Sequence, residues 1–177
     1  MGTCNAFDAV VVWDDENQIH ATGHSEFGNW YEVIDAPAMM SDPLDGCTEI
    51  TNDLSGHVAV IQRGTCYFSD KARNAQAAGA LGVVILNNGG DDNVIMICGD
   101  DVGNCEDIRI PLVFLQNESV DSFTNMIASD PGHIIHLGCE GNYNAETTAA
   151  PTQEEGMIPV FVIMHIVMCG KTKIVFF

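Results

Sequence analysis

Hydrophobic positions in this chain fall into short blocks separated by polar, glycine-punctuated stretches. The clearest block is His57-Val58-Ala59-Val60-Ile61-Gln62, stopped by Arg63-Gly64. Apolar side chains at consecutive positions imply a strand buried on both faces, as in the interior of a sheet. Gly82-Val83-Val84-Ile85-Leu86 is a second such run, broken by Asn87-Asn88-Gly89-Gly90. Between them the spacing turns helical from about Ser69, with Phe68, Ala72, Ala75 and Gly79 on one face. Ser69 suits an N-cap, and Asp70 suits the first turn near the positive end of the helix dipole. The small side chains on that face would let the helix lie close to a sheet. Strand, helix and strand in this order predict a crossover unit with a right-handed connection.

The pattern recurs more weakly downstream. Ile110-Pro111-Leu112-Val113-Phe114-Leu115 reads as a strand, with Pro111 near its start, where a missing N–H does least harm. Asn117 can cap a second helix whose apolar positions are Val120, Phe123, Met126 and Ile127. Pro131-Gly132 ends it, and His133-Ile134-Ile135-His136-Leu137 closes the domain as a strand. Upstream, 7–13 is a β-branched run closed by Asp14-Asp15, and 30–34 is a further strand ended by Pro37 and an Asp42-Pro43 turn. The stretch from Asp45 to Gly56 is irregular and polar. Residues 1–143 thus form one domain, 144–157 an acidic Thr/Pro linker without apolar periodicity, and 158–177 an apolar tail. Ile158 to Met168 is apolar apart from His165, but such a helix reaches only about half the thickness of a bilayer. The tail reads as a truncated membrane segment, a C-terminal strand or a frame altered by splicing, and the sequence leaves these open.

Composition narrows the function. The 177 residues are 46% hydrophobic, which excludes a disordered chain despite a net charge of −19. An acidic surface of that strength repels phosphates, so nucleic acid is excluded as a partner. Cysteines stand at 4, 47, 66, 98, 105, 139 and 169 without a Cys-x-x-Cys pair. A zinc ribbon or thioredoxin-like centre is therefore unsupported, and disulfides from an oxidising compartment explain them better. Asn117-Glu118-Ser119 fits a glycosylation sequon and agrees with that compartment. The first twenty residues contain Asp14, Asp15 and Glu16 and no long apolar stretch, so no signal peptide is visible. Either a leader is missing from this sequence or the compartment is not an oxidising one, and the missing leader is the favoured reading.

Residues 57–88 carry a specific motif: an apolar strand, Arg63-Gly64-Thr65-Cys66-Tyr67-Phe68, Lys71-Ala72, Ala75, Gly79-Ala80, a second apolar strand, then Asn87-Asn88. This closely resembles the signature of the protease-associated (PA) domain family, and Ile110-Pro111 with its apolar run resembles the family's next strand. The resemblance implies an α/β fold, with a sheet folded partly into a barrel or sandwich and flanked by short helices. It implies a binding or regulatory lid rather than a catalyst, in secretory-pathway, endosomal, vacuolar or extracellular proteins. Parent proteins include subtilisin-like proteases, zinc aminopeptidases, intramembrane aspartyl proteases, vacuolar sorting receptors, transmembrane RING ubiquitin ligases and mannosidase-like proteins. The family pairing of a cysteine upstream of the central strand with the one after Arg-Gly implies a Cys47–Cys66 disulfide. Cys98 and Cys105 are expected to clip a local loop.

Candidate chemistry is sparse. Arg63, Lys71 and Arg73 are three of only four basic residues before the tail. Their functional reading is an anchor for an acidic side chain or C-terminal carboxylate of a protein or peptide segment, with Asn87 and Asn88 bonding its backbone. The competing reading is pairing with neighbouring carboxylates on a very acidic surface, with Phe68 in the core. Asp91-Asp92, Asp100-Asp101 and Glu106-Asp107 lack the order of a calcium loop and read as solvated loop. Gly23-His24-Ser25-Glu26-Phe27-Gly28 fails as a nucleophile elbow, since Phe27 stands where glycine is required. The pairs His20/His24 and His133/His136 lack a helical His-Glu-x-x-His, and Cys66 has no local histidine. No catalytic residue, metal or cofactor is expected. The expectation is a non-catalytic luminal or extracellular module that binds protein or peptide segments. Its alternative is the N-terminal luminal fragment of a membrane-bound enzyme, a RING ligase or an intramembrane aspartyl protease, attached through a longer C-terminal segment.

Overall fold

The computed structural model describes residues 9–12, 18–20, 23–25, 27–28, 34–92, 94–99 and 105–139. The linker at 144–157 and the tail at 158–177 lie outside them, as do the sequence readings made there. In chain order the elements are β1 (Ala9–Val12), β2 (Gln18–His20), β3 (Gly23–His24), β4 (Ile34–Met40), β5 (Val58–Gln62), α1 (Phe68–Ala77), β6 (Gly82–Leu86), β7 (Leu112–Leu115), α2 (Asn117–Ser129) and β8 (Ile134–Cys139).

The strands form one mixed sheet in the order β2-β1-β8-β4-β5-β6-β7-β3. β4, β5, β6 and β7 run parallel, so α1 is the crossover between β5 and β6 that the apolar pattern predicts. The sheet curls into a half-barrel, and β1 near one end comes within reach of β7 near the other.

The consecutive apolar runs are buried on both faces. Val58, Val60, Val84, Leu86, Val113 and Leu115 point to one side, where Phe123 and Ile127 of α2 cover them. Ala59, Ile61, Val83, Ile85, Leu112 and Phe114 point to the other, against Ala72 and Ala75 of α1 together with Leu54 and Met96. Each fully buried aliphatic side chain contributes about 1.5–3 kcal/mol, so these three central strands hold the fold.

Several boundaries differ from the sequence reading, each for a physical reason. The strand expected to end at Pro37 runs through it. Residues 34–37 pair antiparallel with β8, and residues 38–40 pair parallel with β5. Pro37 sits where β4 passes from one partner to the other, a place that tolerates a missing N–H. Helix α1 is capped at Tyr67, not Ser69, and α2 at Gln116, not Asn117, both without a side-chain cap bond. Ser69 is buried inside the first turn, where its Oγ accepts the Gly99 amide at 3.3 Å. The turn from α1 to β6 needs Gly79, whose φ is +88° and whose hydrogen lies where a Cβ would come within 2.6 Å of Ser55 Oγ.

Candidate functional site

The junction between β5 and α1 holds the motif residues. Arg63 directly follows β5, with its amide donating to Leu86 O at 2.9 Å. Thr65 follows with φ +73°. The turn is pinned by the Cys47–Cys66 disulfide, and a second disulfide joins Cys98 to Cys105.

The three cations do not converge. Arg63 reaches across the end of the sheet, donating from Nη1 to Asn87 Oδ1 at 3.0 Å and Asp91 O at 2.8 Å. Its guanidinium carbon lies 5.6 Å from the Phe114 ring centroid. Gly90 makes room for it, since a Cβ there would come within 2.5 Å of Nη1. Lys71 turns inward and is completely buried. Its Nζ donates to Asp45 O, to Gly64 O at 2.7 Å and to Cys47 Sγ at 3.3 Å. Burial pushes its ammonium below the ordinary lysine value, and the charges of Asp45 and Asp70 offset part of that. Arg73 forks onto Asp107, with Nε to Oδ2 at 2.6 Å and Nη2 to Oδ1 at 3.0 Å. That bond raises the Arg73 pKa and holds the Asp107 carboxyl below its usual range.

Two expectations are corrected here. Lys71 presents nothing to a ligand, because all three ammonium donors are engaged inside the fold. Arg73 is engaged by Asp107, as the competing surface-pairing reading holds. Phe68 is partly buried and packs edge-on against Phe114, with ring centroids 6.4 Å apart. Sequence reasoning missed the partners of Lys71. The available signal was the i, i+3, i+7 spacing of Phe68, Lys71 and Ala75, which puts Lys71 on the stripe that faces the sheet.

Asn87 is also internal: its Nδ2 donates to Gly90 O at 3.1 Å and Asp92 Oδ1 at 2.8 Å, and its Oδ1 accepts the Asn88 amide at 2.9 Å. The amide of Asn117 and the side chain of Asn87 hold the Asp92 carboxyl below its usual range, with the charge of Arg63 adding to them. Asn117 is a loop clamp. Its Nδ2 donates to Gly90 O at 3.0 Å and Asp92 Oδ1 at 3.1 Å, while its Oδ1 accepts the Gly89 amide at 2.7 Å. The nitrogen a glycan would occupy is therefore in use, which counts against the sequon in the folded domain.

Asn88 alone of the polar candidates is exposed, with Nδ2 on Arg63 O at 3.1 Å. On the same turn, Tyr67 is 50% exposed, and its ring lies across Gly99. The surface of the junction thus offers one amide, one aromatic ring and a backbone turn. Ser25 is buried and donates to Phe27 O. His136 Nδ1 lies 2.6 Å from Asp35 Oδ1 across the β4–β8 ladder, and His133 pairs with Asp130 at 3.6 Å. The side chains of His20 and His24 lie outside the described residues.

Comparison with known proteins gives a consistent picture. The family model "PA domain" matches residues 31–123. A signal peptide peptidase-like 2 of Arabidopsis thaliana is 40% identical over 91 residues, covering 51% of this chain and 16% of that protein. A human ER degradation-enhancing alpha-mannosidase-like protein 3 is 44% identical over 82 residues, covering 42% of this chain and 9% of that protein. This chain therefore spans under a fifth of either relative's length. Among solved structures, a zinc aminopeptidase from Bacillus subtilis shares the fold with a TM-score of 0.51 at 22% identity, over 73% of this chain and 29% of that one. The motif at the β5–α1 junction, the curled mixed sheet and a family match over more than half of the sequence make this chain a member of the PA domain family.

Proposed function

We propose that this chain is a non-catalytic binding module of the secretory-pathway lumen, endosomal space or extracellular space, and that it holds a protein or peptide segment at the β5–α1 junction. The observation that carries this reading is the surface of the junction, where Asn88 is exposed and Tyr67 half exposed beside a turn fixed by a disulfide. Arg63 contributes as the part that positions Asn88 and the 87–91 loop. Support for the compartment comes from the two disulfides and from a relative whose name places it in ER degradation. Support for a non-catalytic role comes from Ser25 and Cys66. The first is buried against a carbonyl and the second is held in a disulfide, so neither is an activated nucleophile.

The test is to pan a displayed random peptide library against the chain and then assay the enriched peptides against Tyr67→Ala and Asn88→Ala. Affinity is expected to fall roughly ten-fold or more for at least one variant that keeps its circular dichroism spectrum. Unchanged affinity in both would place the site elsewhere. Turnover of generic peptide substrates by the purified chain, abolished by Ser25→Ala, would overturn the non-catalytic reading.

A second reading is that the module is the luminal part of a larger membrane-bound enzyme. It is favoured by similarity to signal peptide peptidase-like proteins, of which this chain covers 15–25%. A longer transcript that continues into membrane helices with paired aspartates, or into a Cys/His-rich RING, would establish it.

A further inference from the structure

We propose that the Cys47–Cys66 disulfide is a site of reversible thiol–disulfide exchange, opened by an external dithiol at Cys66 with Cys47 leaving as a thiolate held by Lys71. The argument starts from the leaving group. Exchange is faster when the departing sulfur is the better-stabilised thiolate, and a neighbouring cation supplies that stabilisation. Lys71 Nζ lies 3.3 Å from Cys47 Sγ, and the side chain that carries it is completely buried. Its other two bonds go to the carbonyls of Asp45 and Gly64. Among the described residues no carboxylate lies within ion-pair distance of this ammonium, so its charge is solvated by dipoles but not neutralised. A thiolate at Cys47 would supply the missing anion.

The other groups around this sulfur act more weakly. The Asp45 and Gly64 carbonyl oxygens border Cys47 Sγ at 3.4 and 3.6 Å, and the Asp45 carboxylate accepts the Cys47 amide at 3.2 Å. These oppose a thiolate, but the ammonium is closest and is the one full charge in contact. Asp70, the other carboxylate that acts on Lys71, does so at longer range and favours its protonated form. The entry side is Cys66, partly exposed between the exposed Thr65 and Tyr67.

The second disulfide is an internal control. Arg73 Nη2 lies 3.6 Å from Cys105 Sγ, but Arg73 is already neutralised by its fork onto Asp107. A cation whose charge is satisfied has less to gain from a thiolate.

The chemistry balances with a dithiol of the oxidoreductase type as reductant. Its thiolate attacks Cys66 Sγ and a new S–S bond forms. The Cys47–Cys66 bond breaks, and its electron pair goes to Cys47 Sγ beside Lys71. The second thiol of the reagent loses its proton to solvent and attacks its partner sulfur in the mixed disulfide. Cys66 is released as a thiolate that takes a proton from water. The protein disulfide is reduced by two electrons and the dithiol is oxidised to a disulfide. The opened junction exchanges a covalent tether for a Cys47–Lys71 ion pair.

The experiment uses the full chain, its free thiols first capped with N-ethylmaleimide, and glutathione as a monothiol that stops at the mixed disulfide. After a brief exposure and acid quench, peptide mapping is expected to find the adduct on Cys66, roughly ten-fold over Cys47. Cys47–Cys66 is expected to open about ten-fold faster than Cys98–Cys105. In Cys66→Ser, the pH profile of iodoacetamide alkylation is expected to place the Cys47 thiol at least about one unit below the free-cysteine value. Lys71→Met should return both the rate and the profile to ordinary values. If Lys71→Met does not fold, Cys47→Ser supplies the contrast, with Cys66 titrating at the ordinary cysteine value. Adducts on Cys47, equal opening rates for the two disulfides, or a Cys47 thiol titrating at or above the ordinary value would each overturn the proposal.

Discussion

Lys71 and Arg73 stand two positions apart on α1, and the sequence presents them as one basic patch. The helix separates them. Lys71 falls on the stripe that faces the sheet and ends among two carbonyls and a sulfur, fully removed from water. Arg73 falls on the outer face and meets a carboxylate that is itself mostly solvated. Among the described residues the first has no carboxylate within ion-pair distance, and the second is half of an ion pair whose carboxylate faces solvent. The difference teaches that charge proximity in sequence says little until the helical phase is known. One hundred degrees of rotation per residue turns neighbours into residents of different dielectrics.

This contrast can be broken experimentally, and the largest effect is expected at Lys71. Lys71→Met keeps the volume and removes the donors, leaving the Asp45 carbonyl without the ammonium and the Gly64 carbonyl with the Cys66 amide only. At about 1.5–3 kcal/mol for each hydrogen bond lost from a charged donor, the expected loss is about 4 kcal/mol, read by urea denaturation. Equal stability of Lys71→Met and wild type would mean that water replaces the ammonium. Next come the disulfides that each cation borders. Replacing Cys47 and Cys66 by serine opens a loop of sequence separation 19 and should cost about 3 kcal/mol. The same change at Cys98 and Cys105, with separation 7, should cost about 2 kcal/mol.

Arg73→Gln is expected to cost only about 0.5 kcal/mol at neutral pH, because solvent screens an exposed pair. That small effect has a pH signature. The folded Asp107 pKa is depressed below the usual 3.8, so its contribution is present above that value and fades as pH falls through the folded one. Wild type and Arg73→Gln should therefore differ at pH 7 and converge in acid. A difference that persists at the lowest pH at which both fold would show that Arg73 acts through packing.

The parallel core was legible because its strands announce themselves. Val58 to Ile61, Val83 to Leu86 and Leu112 to Leu115 have no polar side to hide, so the unbroken runs specify both burial and layer. Helix caps were off by two positions for α1 and by one for α2, where backbone geometry caps the helix and Ser69 and Asn117 bond to other segments. The extension of β4 through Pro37 was not legible. A proline reads as a stop unless the identities of the two neighbouring strands are known, and both lie far away in sequence. At the junction, the motif marked the β5–α1 turn, and the resemblance indicated the Cys47–Cys66 pairing. Which side chains of that turn face solvent was not legible. Arg63, Lys71, Arg73 and Asn87 all look like binding groups in a list of residue types. Only the three-dimensional arrangement shows each of them bonded to groups of the same domain, although Arg73 Nη1 is buried without a hydrogen bond among the described residues.

The divided loyalty of β4 has a consequence for how the chain is assembled. Its second half pairs with β5, a neighbour that leaves the ribosome soon afterwards, and α1 and β6 complete that unit from nearby sequence. Its first half pairs with β8, and Asp35 meets His136 across a separation of 101 residues. During synthesis at about 5–20 residues per second, the edge of β4 at 34–37 waits several seconds for its partner to emerge. Until then it is an unpaired strand edge next to a formed parallel core, the kind of surface that attracts other strands. Closure of this half of the sheet is thus a late, long-range event. Pro37, which cannot donate to a wrong ladder, stands inside the exposed interval as a guard against premature pairing.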